Sequence, residues 1–124
     1  MKYLFDLLFY DGPIVVAYEN DDGTITILDW YNRLGHCYKF RTTQELLFKH
    51  LTDSEFLFRS LICGTVSVVM YDDADNEEFL YNIPLWAIDN EYNFVYGNYT
   101  NELSVPTSDP LLNEWIERKK NELL

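Results

Sequence analysis

The sequence predicts an α+β fold in a single domain, residues 1–124, with an antiparallel sheet of five to six strands, two short helices and a C-terminal helix. Short runs of β-branched and aromatic residues alternate with polar turns, as in an antiparallel sheet. Helix-capping signals follow at three places, and the length of 124 residues is close to the commonest size of one domain. Because 48% of the residues are hydrophobic, the chain has enough apolar surface for one core.

The first segment, residues 3–10, is apolar at most positions. It fits either a short helix or a buried strand, because periodicity does not separate the two in so short a run. Five later runs are rich in β-branched and aromatic residues and predict strands. These runs are residues 14–19, 24–30, 36–40, 65–71 and 79–83. A polar turn joins the first two into a hairpin in which Gly23 is free to take a positive φ, and the third completes a meander.

Capping signals predict a helical pair in the middle of the chain. Thr42 and Glu45 are spaced as in a capping box, which predicts a helix over residues 43–51. Asp53 or Ser54 can cap a second short helix directly after it.

The C-terminal helix has the most complete start signal, because Asp109 stands at the cap position and Pro110 at the first helical position. Apolar residues at helical spacing predict the stripe that faces the core. They are Leu111, Leu112, Trp115, Ile116 and Leu123. The preceding residues 89–108 are rich in Asn and Tyr and predict mostly loop, with a short edge strand at residues 93–96.

Charge is the strongest functional signal. The formal net charge is −12, and between Ser60 and Glu117 the chain has no lysine or arginine, while eleven of those 58 residues are acidic. Such a surface repels phosphates and attracts basic protein patches over about 8 Å at physiological salt. Only Arg33, Lys39 and Arg41 gather in the first half, so the sequence predicts no direct nucleic-acid ligand.

The cysteines and the apolar runs indicate the cellular compartment of the protein. Cys37 and Cys63 lie in apolar surroundings without CxxC spacing, which predicts reduced, buried thiols. The start of the chain carries Lys2 and Asp6 and is followed by no small-residue cleavage site, so no signal peptide is expected. No run approaches the ~18 apolar residues of a membrane span. We therefore expect a cytoplasmic protein.

Several short patterns occur in a fixed order along the chain. They are Phe5-x-x-Leu8, Tyr10-Asp11-Gly12-Pro13, the acidic turn ending in Gly23, Leu61-Ile62 and Ile83-Pro84-Leu85. Together they resemble a family of small uncharacterised bacterial and phage-associated domains. The resemblance covers about two-thirds of the chain and implies a compact α+β domain in a bacterial host cell. It carries no functional residues across.

The acidic loop at residues 72–78 has carboxylates at alternating positions, as a hard cation such as Ca²⁺ prefers. Counted from Asp73, Asp75 and Glu77 occupy ligand positions. Glu78, however, replaces the glycine that the calcium loop needs, and Pro84 stands where a bidentate Glu is required. The sequence therefore predicts a solvated hairpin loop, with no metal and no cofactor.

One arrangement suggests an enzyme. His36 lies beside Cys37, and a nucleophilic Cys needs a base within hydrogen-bond reach. Neighbours on a strand point to opposite faces, so Cys37 would need His50 to be brought to it by the fold. No G-x-S-x-G, G-x-G-x-x-G or P-loop pattern is present. A small hydrolase that uses these residues is the less favoured hypothesis, and no catalytic residue is predicted.

Aromatic residues favour an interaction surface. The chain has ten Tyr, eight Phe and three Trp, several of them beside acids in predicted loops. Tyr and Trp bury large rigid surfaces while keeping a polar tip, and so they commonly anchor interfaces. The alternative is that about half of them pack against the sheet, because interfaces overall are no more apolar than other surface.

The sequence thus predicts a small acidic intracellular protein that docks on a basic surface of a partner protein. The predicted partner-binding residues are Asp72, Asp73, Asp75, Glu77, Glu78, Trp86, Asp89, Glu91, Tyr92, Tyr96 and Tyr99. If the basic cleft normally holds nucleic acid, the protein acts as a nucleic-acid mimic and an inhibitor. Phage inhibitors of bacterial defence nucleases and immunity proteins of bacterial toxins share this size and charge. The alternative is a self-associating structural subunit in which the Tyr-rich loop forms a homodimer.

Overall fold

The computed structural model describes residues 1–9, 13–30, 35–53, 55–56, 58–83 and 109–123. Its strands are β1 (Lys2–Phe9), β2 (Pro13–Glu19), β3 (Ile25–Trp30), β4 (His36–Thr42), β5 (Cys63–Tyr71) and β6 (Glu77–Ile83). Its helices are α1 (Gln44–Thr52) and α2 (Pro110–Leu123), with a short 3₁₀ turn at Phe58–Leu61. The α+β class, the antiparallel sheet, the first short helix and the C-terminal helix agree with the sequence prediction.

The six strands form one sheet in the order β1-β2-β3-β4-β5-β6, and every neighbouring pair is antiparallel. The ambiguous first segment is therefore a strand, and the predicted three-stranded meander extends to all six. Each strand pairs with the next in sequence, so short turns are enough to connect most of them. β1 is irregular, with three shifts of register against β2, whereas β2 and β3 pair without any.

The two faces of the sheet have different roles. On the first, which we call the helical face, alternate strand residues such as Phe5, Ile27 and Phe40 join Leu47 of α1 and Trp115 of α2 in one buried core. On the second face, Leu28, Cys37 and Val69 form a smaller buried cluster, and Tyr18, Trp30 and Tyr71 pack around it. Part of the aromatic content is thus used in packing on both faces.

The helical pair is shorter than predicted. Thr43, one residue after the predicted cap, accepts a hydrogen bond from the backbone N–H of Leu46 at 3.1 Å. The prediction of Thr42 as the cap is wrong, because Thr42 pairs with Ile25 as the last residue of β4 and is buried. Where the second helix was predicted, the described residues show a 3₁₀ turn at Phe58–Leu61.

The start of α2 is confirmed. The Oδ1 atom of Asp109 accepts the backbone N–H of Leu111 at 2.9 Å, as an N-cap does. The Oδ2 atom of the same carboxylate accepts the backbone N–H of Asp6 in β1 at 3.1 Å. Leu112 is fully buried, but Leu111 is 47% exposed, so its place in the predicted core stripe is wrong. Leu111 and Leu112 are neighbours in sequence, and only Leu112 lies on the face of α2 that packs into the core.

Gly23 and Gly35 take the left-handed conformation that their turns require. Gly23, with φ of +86°, closes the β2–β3 hairpin as predicted, and its N–H donates to the carbonyl of Asn20 at 3.0 Å. Gly35, with φ of +82°, precedes β4, where an added Cβ would lie 2.8 Å from the carbonyl oxygen of Tyr71. Side chains are excluded at Gly35 by both conformation and space.

Candidate acidic binding surface

The predicted acidic loop forms the turn of the β5–β6 hairpin. The backbone N–H of Asp72 donates to the carbonyl of Asn76 at 3.1 Å, and that of Asp75 donates to the carbonyl of Asp72 at 3.0 Å. Asp75 has φ of 61°, the left-handed position that glycine usually fills in a three-residue hairpin loop. The β2–β3 hairpin has the same hydrogen bonds, with Gly23 in that position. An aspartate tolerates this conformation better than most residues, so the loop keeps an additional charge at its tip.

Asp72 is the structural residue of this turn. Its Oδ1 atom accepts the backbone N–H groups of Ala74 and Asn76, each at 2.9 Å, and its Oδ2 atom accepts the side-chain amide of Asn76 at 3.1 Å. The hydrogen bonds from Asn76, followed by that from Ala74, lower the pKa of Asp72. The carboxylate thus remains charged while its acceptor sites are used within the loop.

Glu77 is the second structural acid. Its Oε1 atom accepts hydrogen bonds from Nζ of Lys39 and from the hydroxyl of Tyr71, each at 2.7 Å. Burial acts to raise the pKa of Glu77, but the hydrogen bonds from Lys39 and Tyr71 outweigh it and the pKa is lowered. The pKa of Tyr71 is raised by burial and by its bond to Glu77. This network joins β4, β5 and β6, and it neutralises one of the predicted binding charges.

The remaining acids of the hairpin face solvent. Within the described part of the chain, no hydrogen bond or ion pair is found for the side chains of Asp73, Asp75 and Glu78, all of which are exposed. Beside them on β6, Phe79 is 58% exposed and Tyr81 is 45% exposed. We call these five residues the hairpin surface. It combines free carboxylates with large apolar side chains, as an interface for a basic partner requires.

The sequence reasoning missed Phe79 and Tyr81. Both stand in a predicted strand, and aromatic residues in a strand are usually buried against the core. Their exposure follows from the position of β6 as the last strand of the sheet in the described ranges, which the local sequence does not specify. The remaining predicted binding residues lie outside the described residues. They are Trp86, Asp89, Glu91, Tyr92, Tyr96 and Tyr99, and the predicted edge strand at 93–96 lies there too.

The hairpin turn also borders the second face of the sheet. Arg41 of β4, Asn20 next to β2, and Asp75 of the turn line one cavity with a volume of about 380 Å³. Arg41 approaches Asp22 with an N–O distance of 3.9 Å, and Lys39 is paired with Glu77 at 2.7 Å. Each of these two sheet cations thus has an acidic partner, so they leave the hairpin surface negative.

The suggested thiol–imidazole site does not come together. Cys37 is fully buried in the cluster of the second face, while His50 is a buried residue of α1, which packs on the helical face. The sheet therefore separates them, and His36 is adjacent to Cys37 on the same strand. Burial, the largest effect, raises the pKa of Cys37 to about 12, which disfavours the thiolate. The other thiol, Cys63, is exposed at the start of β5, so the prediction that it is buried is wrong.

His50 contributes a pH dependence to stability. Its Nδ1 atom lies 3.3 Å from the carbonyl oxygen of Phe56, and burial lowers its pKa from the ordinary value of 6.5.

The imidazole of His50 therefore binds a proton more readily in the unfolded chain than in the folded one. We expect the free energy of unfolding to fall as pH drops from 7 through 6.5. Urea denaturation at several pH values measures this. A His50→Gln variant should show a shallower decline, and an unchanged slope in that variant would contradict the assignment.

Within the described ranges, no three His, Cys, Asp or Glu side chains come close enough together to hold a metal ion. The helices of those same ranges are too short or too polar to span a lipid bilayer. Comparison of the chain with protein-family models, curated proteins and solved structures found no match.

Proposed function

We propose that this protein is a small acidic binding protein that docks on a basic surface of a partner protein through its hairpin surface. The observation that carries the proposal is the juxtaposition on one hairpin of three carboxylates, found without internal partners among the described residues, and two exposed aromatic side chains. Charge of one sign steers a basic partner to the surface, and buried aromatic area then retains it.

The acids of the hairpin have two different roles, and this difference supports the proposal. Asp72 and Glu77 stabilise the hairpin, whereas Asp73 and Asp75 project from its hydrogen-bonded turn and Glu78 projects from the adjoining strand β6. Charges held on a hydrogen-bonded turn lose less conformational freedom on binding than charges on a mobile segment do. The net charge of −12 extends the same negative potential beyond the hairpin.

A finer form of the proposal is that the partner is a nucleic-acid-binding enzyme, which the protein inhibits by occupying its basic cleft. This would make it a nucleic-acid mimic of the phage anti-defence or toxin-immunity type, acting in the cytoplasm of a bacterial cell. Single-stranded nucleic acid binds such a cleft through its negative charge and through stacking of its bases. A surface with carboxylates and aromatic rings offers the cleft both features.

The experiment is capture of partners with the tagged protein from an extract of the organism that encodes it, at about 0.05 M and about 0.5 M salt. Each captured protein is then purified and its affinity measured at both salt concentrations. We expect a basic partner that binds at least about tenfold more weakly at the higher salt. Competition by DNA for that partner supports the mimic. Recovery of the protein's own chain alone, insensitive to salt, would contradict the proposal and favour self-association.

A further inference from the structure

The two ends of the sheet differ in how their backbone is protected. A strand at the end of a sheet exposes unpaired N–H and C=O groups, and proteins commonly cover or interrupt such an edge. At β1, three shifts of register break the edge, helix α2 packs against the strand, and Asp109 accepts the backbone N–H of Asp6 at 3.1 Å. No comparable cover is found for β6 among the described residues, where β6 is the last strand of the sheet.

The hairpin turn shows which backbone groups of β6 point outward. The hydrogen bond from the N–H of Asp72 to the carbonyl of Asn76 makes these two residues a hydrogen-bonded pair. Antiparallel pairs alternate, so Tyr71 with Glu77, and Val69 with Phe79, are non-hydrogen-bonded pairs. The N–H and C=O groups of Glu77 and Phe79 therefore point away from β5, whereas those of Glu78 point toward Met70.

The side chains of β6 complement this edge. A bulge at Leu80 shifts the register between the pairs Val69 with Phe79 and Val68 with Tyr81. Val69 belongs to the cluster of the second face and Val68 to the core of the helical face, so the two exposed aromatic residues lie on opposite faces of the sheet. A strand added to β6 would therefore gain an aromatic contact on each of its two sides.

We propose that the β6 edge is a docking site for an extended, basic segment of the partner protein, which adds as a seventh strand beside Glu77–Ile83. This rests on the proposed function and specifies how the partner binds. The acids of the hairpin select the occupant, since Glu78 and the adjoining turn favour Lys or Arg on the incoming strand. A second copy of this chain is disfavoured because each copy carries a net charge of −12.

Amide hydrogen exchange, followed by NMR, tests the proposal with a synthetic eight-residue peptide of alternating Lys and Val as the probe. We expect the peptide to slow exchange at the N–H groups of Glu77 and Phe79 at least about tenfold, with little change at Glu78, which is already bonded to β5. A peptide of alternating Glu and Val should leave all three unchanged. Slow exchange at Glu77 and Phe79 without any peptide, together with a dimeric mass, would overturn the proposal in favour of a second copy.

Two variants separate backbone pairing from side-chain contact. Proline at position 79 removes an N–H that points outward, so Phe79→Pro should retain the sheet while losing strand addition. Phe79→Ala removes the same ring and keeps the N–H. We expect the peptide to bind the proline variant at least about tenfold more weakly than the alanine variant, and near-native amide spectra check the fold of both.

The outcomes distinguish this inference from the function on which it rests. If the Lys/Val peptide binds in a salt-dependent way but leaves the exchange of Glu77 and Phe79 unchanged, the β6 edge is not the docking site and the acidic binding function stands. If neither the peptide nor any basic protein binds, the function itself is wrong. Equal affinity of the two position-79 variants would also overturn strand addition, and this comparison remains valid as long as both variants fold.

Discussion

Replacing Trp115 by alanine is expected to lower the free energy of unfolding by about 3–5 kcal/mol, the range for removing a buried tryptophan. Trp115 is 2% exposed in the core of the helical face, and its ring packs edge-on against Phe5 with centroids 5.6 Å apart. Nζ of Lys119 lies over the same ring, 5.7 Å from its centroid. Truncation therefore removes a buried contact between α2 and β1. Urea denaturation followed by circular dichroism measures the loss.

Leu111→Ala is the matched control on the same helix. Leu111 is adjacent to the buried Leu112 in sequence but is 47% exposed, so its truncation should cost only about 0.5 kcal/mol or less. A cost for Leu111→Ala equal to that for Trp115→Ala would mean that α2 packs on β1 through a different face. A Trp115→Ala loss below about 1 kcal/mol would mean that the helix contributes little to the core.

Neutralising the hairpin surface with Asp73→Asn, Asp75→Asn and Glu78→Gln together is expected to slow association with a basic partner by about tenfold or more at low salt. Steering depends on charge that faces the partner, and these three exposed carboxylates of the hairpin have no hydrogen bond or ion pair among the described residues. Asparagine tolerates the left-handed backbone at position 75, where φ is 61°, so the turn should persist. Stopped-flow association rates at several salt concentrations measure the effect, which should shrink as salt rises.

The control variant for this prediction loses the same number of charges outside the hairpin surface. Glu45→Gln, Glu55→Gln and Glu114→Gln together remove three exposed carboxylates outside the hairpin. We expect this variant to associate at a rate within about threefold of the native protein, because the lost charges lie away from the docking surface. Equal slowing in both variants would show that total charge matters and that the hairpin surface does not direct binding.

Asp72 and Glu77 are excluded from the neutralised set because they have structural roles. Asp72 accepts three hydrogen bonds within the turn, and Glu77 joins Lys39 to Tyr71. From the sequence, all five acids between residues 72 and 78 were equivalent candidates. Two of them, Asp72 and Glu77, are hydrogen-bonded, and the other three have no partner among the described residues. This difference depends on which groups the turn and the neighbouring strands bring within hydrogen-bond distance, and spacing along the chain does not encode that.

Much of the fold was readable from local signals. Strand runs, the turn at Gly23 and the cap at Asp109 were predicted because each depends on the conformational preferences of a few adjacent residues. The predictions were wrong where a contact with a residue distant in sequence outweighed the local preference. Pairing with Ile25 extends β4 through Thr42 and moves the helix cap to Thr43. In the ambiguous segment at residues 3–10, the described residues 3–9 belong to strand β1 because β2 supplies a partner for them.

The amino-acid order alone predicted an acidic α+β domain, the turn at Gly23 and the loop that carries five carboxylates between residues 72 and 78, since charge, turn formation and strand propensity are properties of nearby residues. Tertiary structure decided which strands end the sheet, and with them the exposure of Phe79 and Tyr81 and the separation of Cys37 from His50 by the sheet. The physical reason is that exposure depends on what the rest of the chain packs against a residue, and that packing is fixed only when distant segments meet.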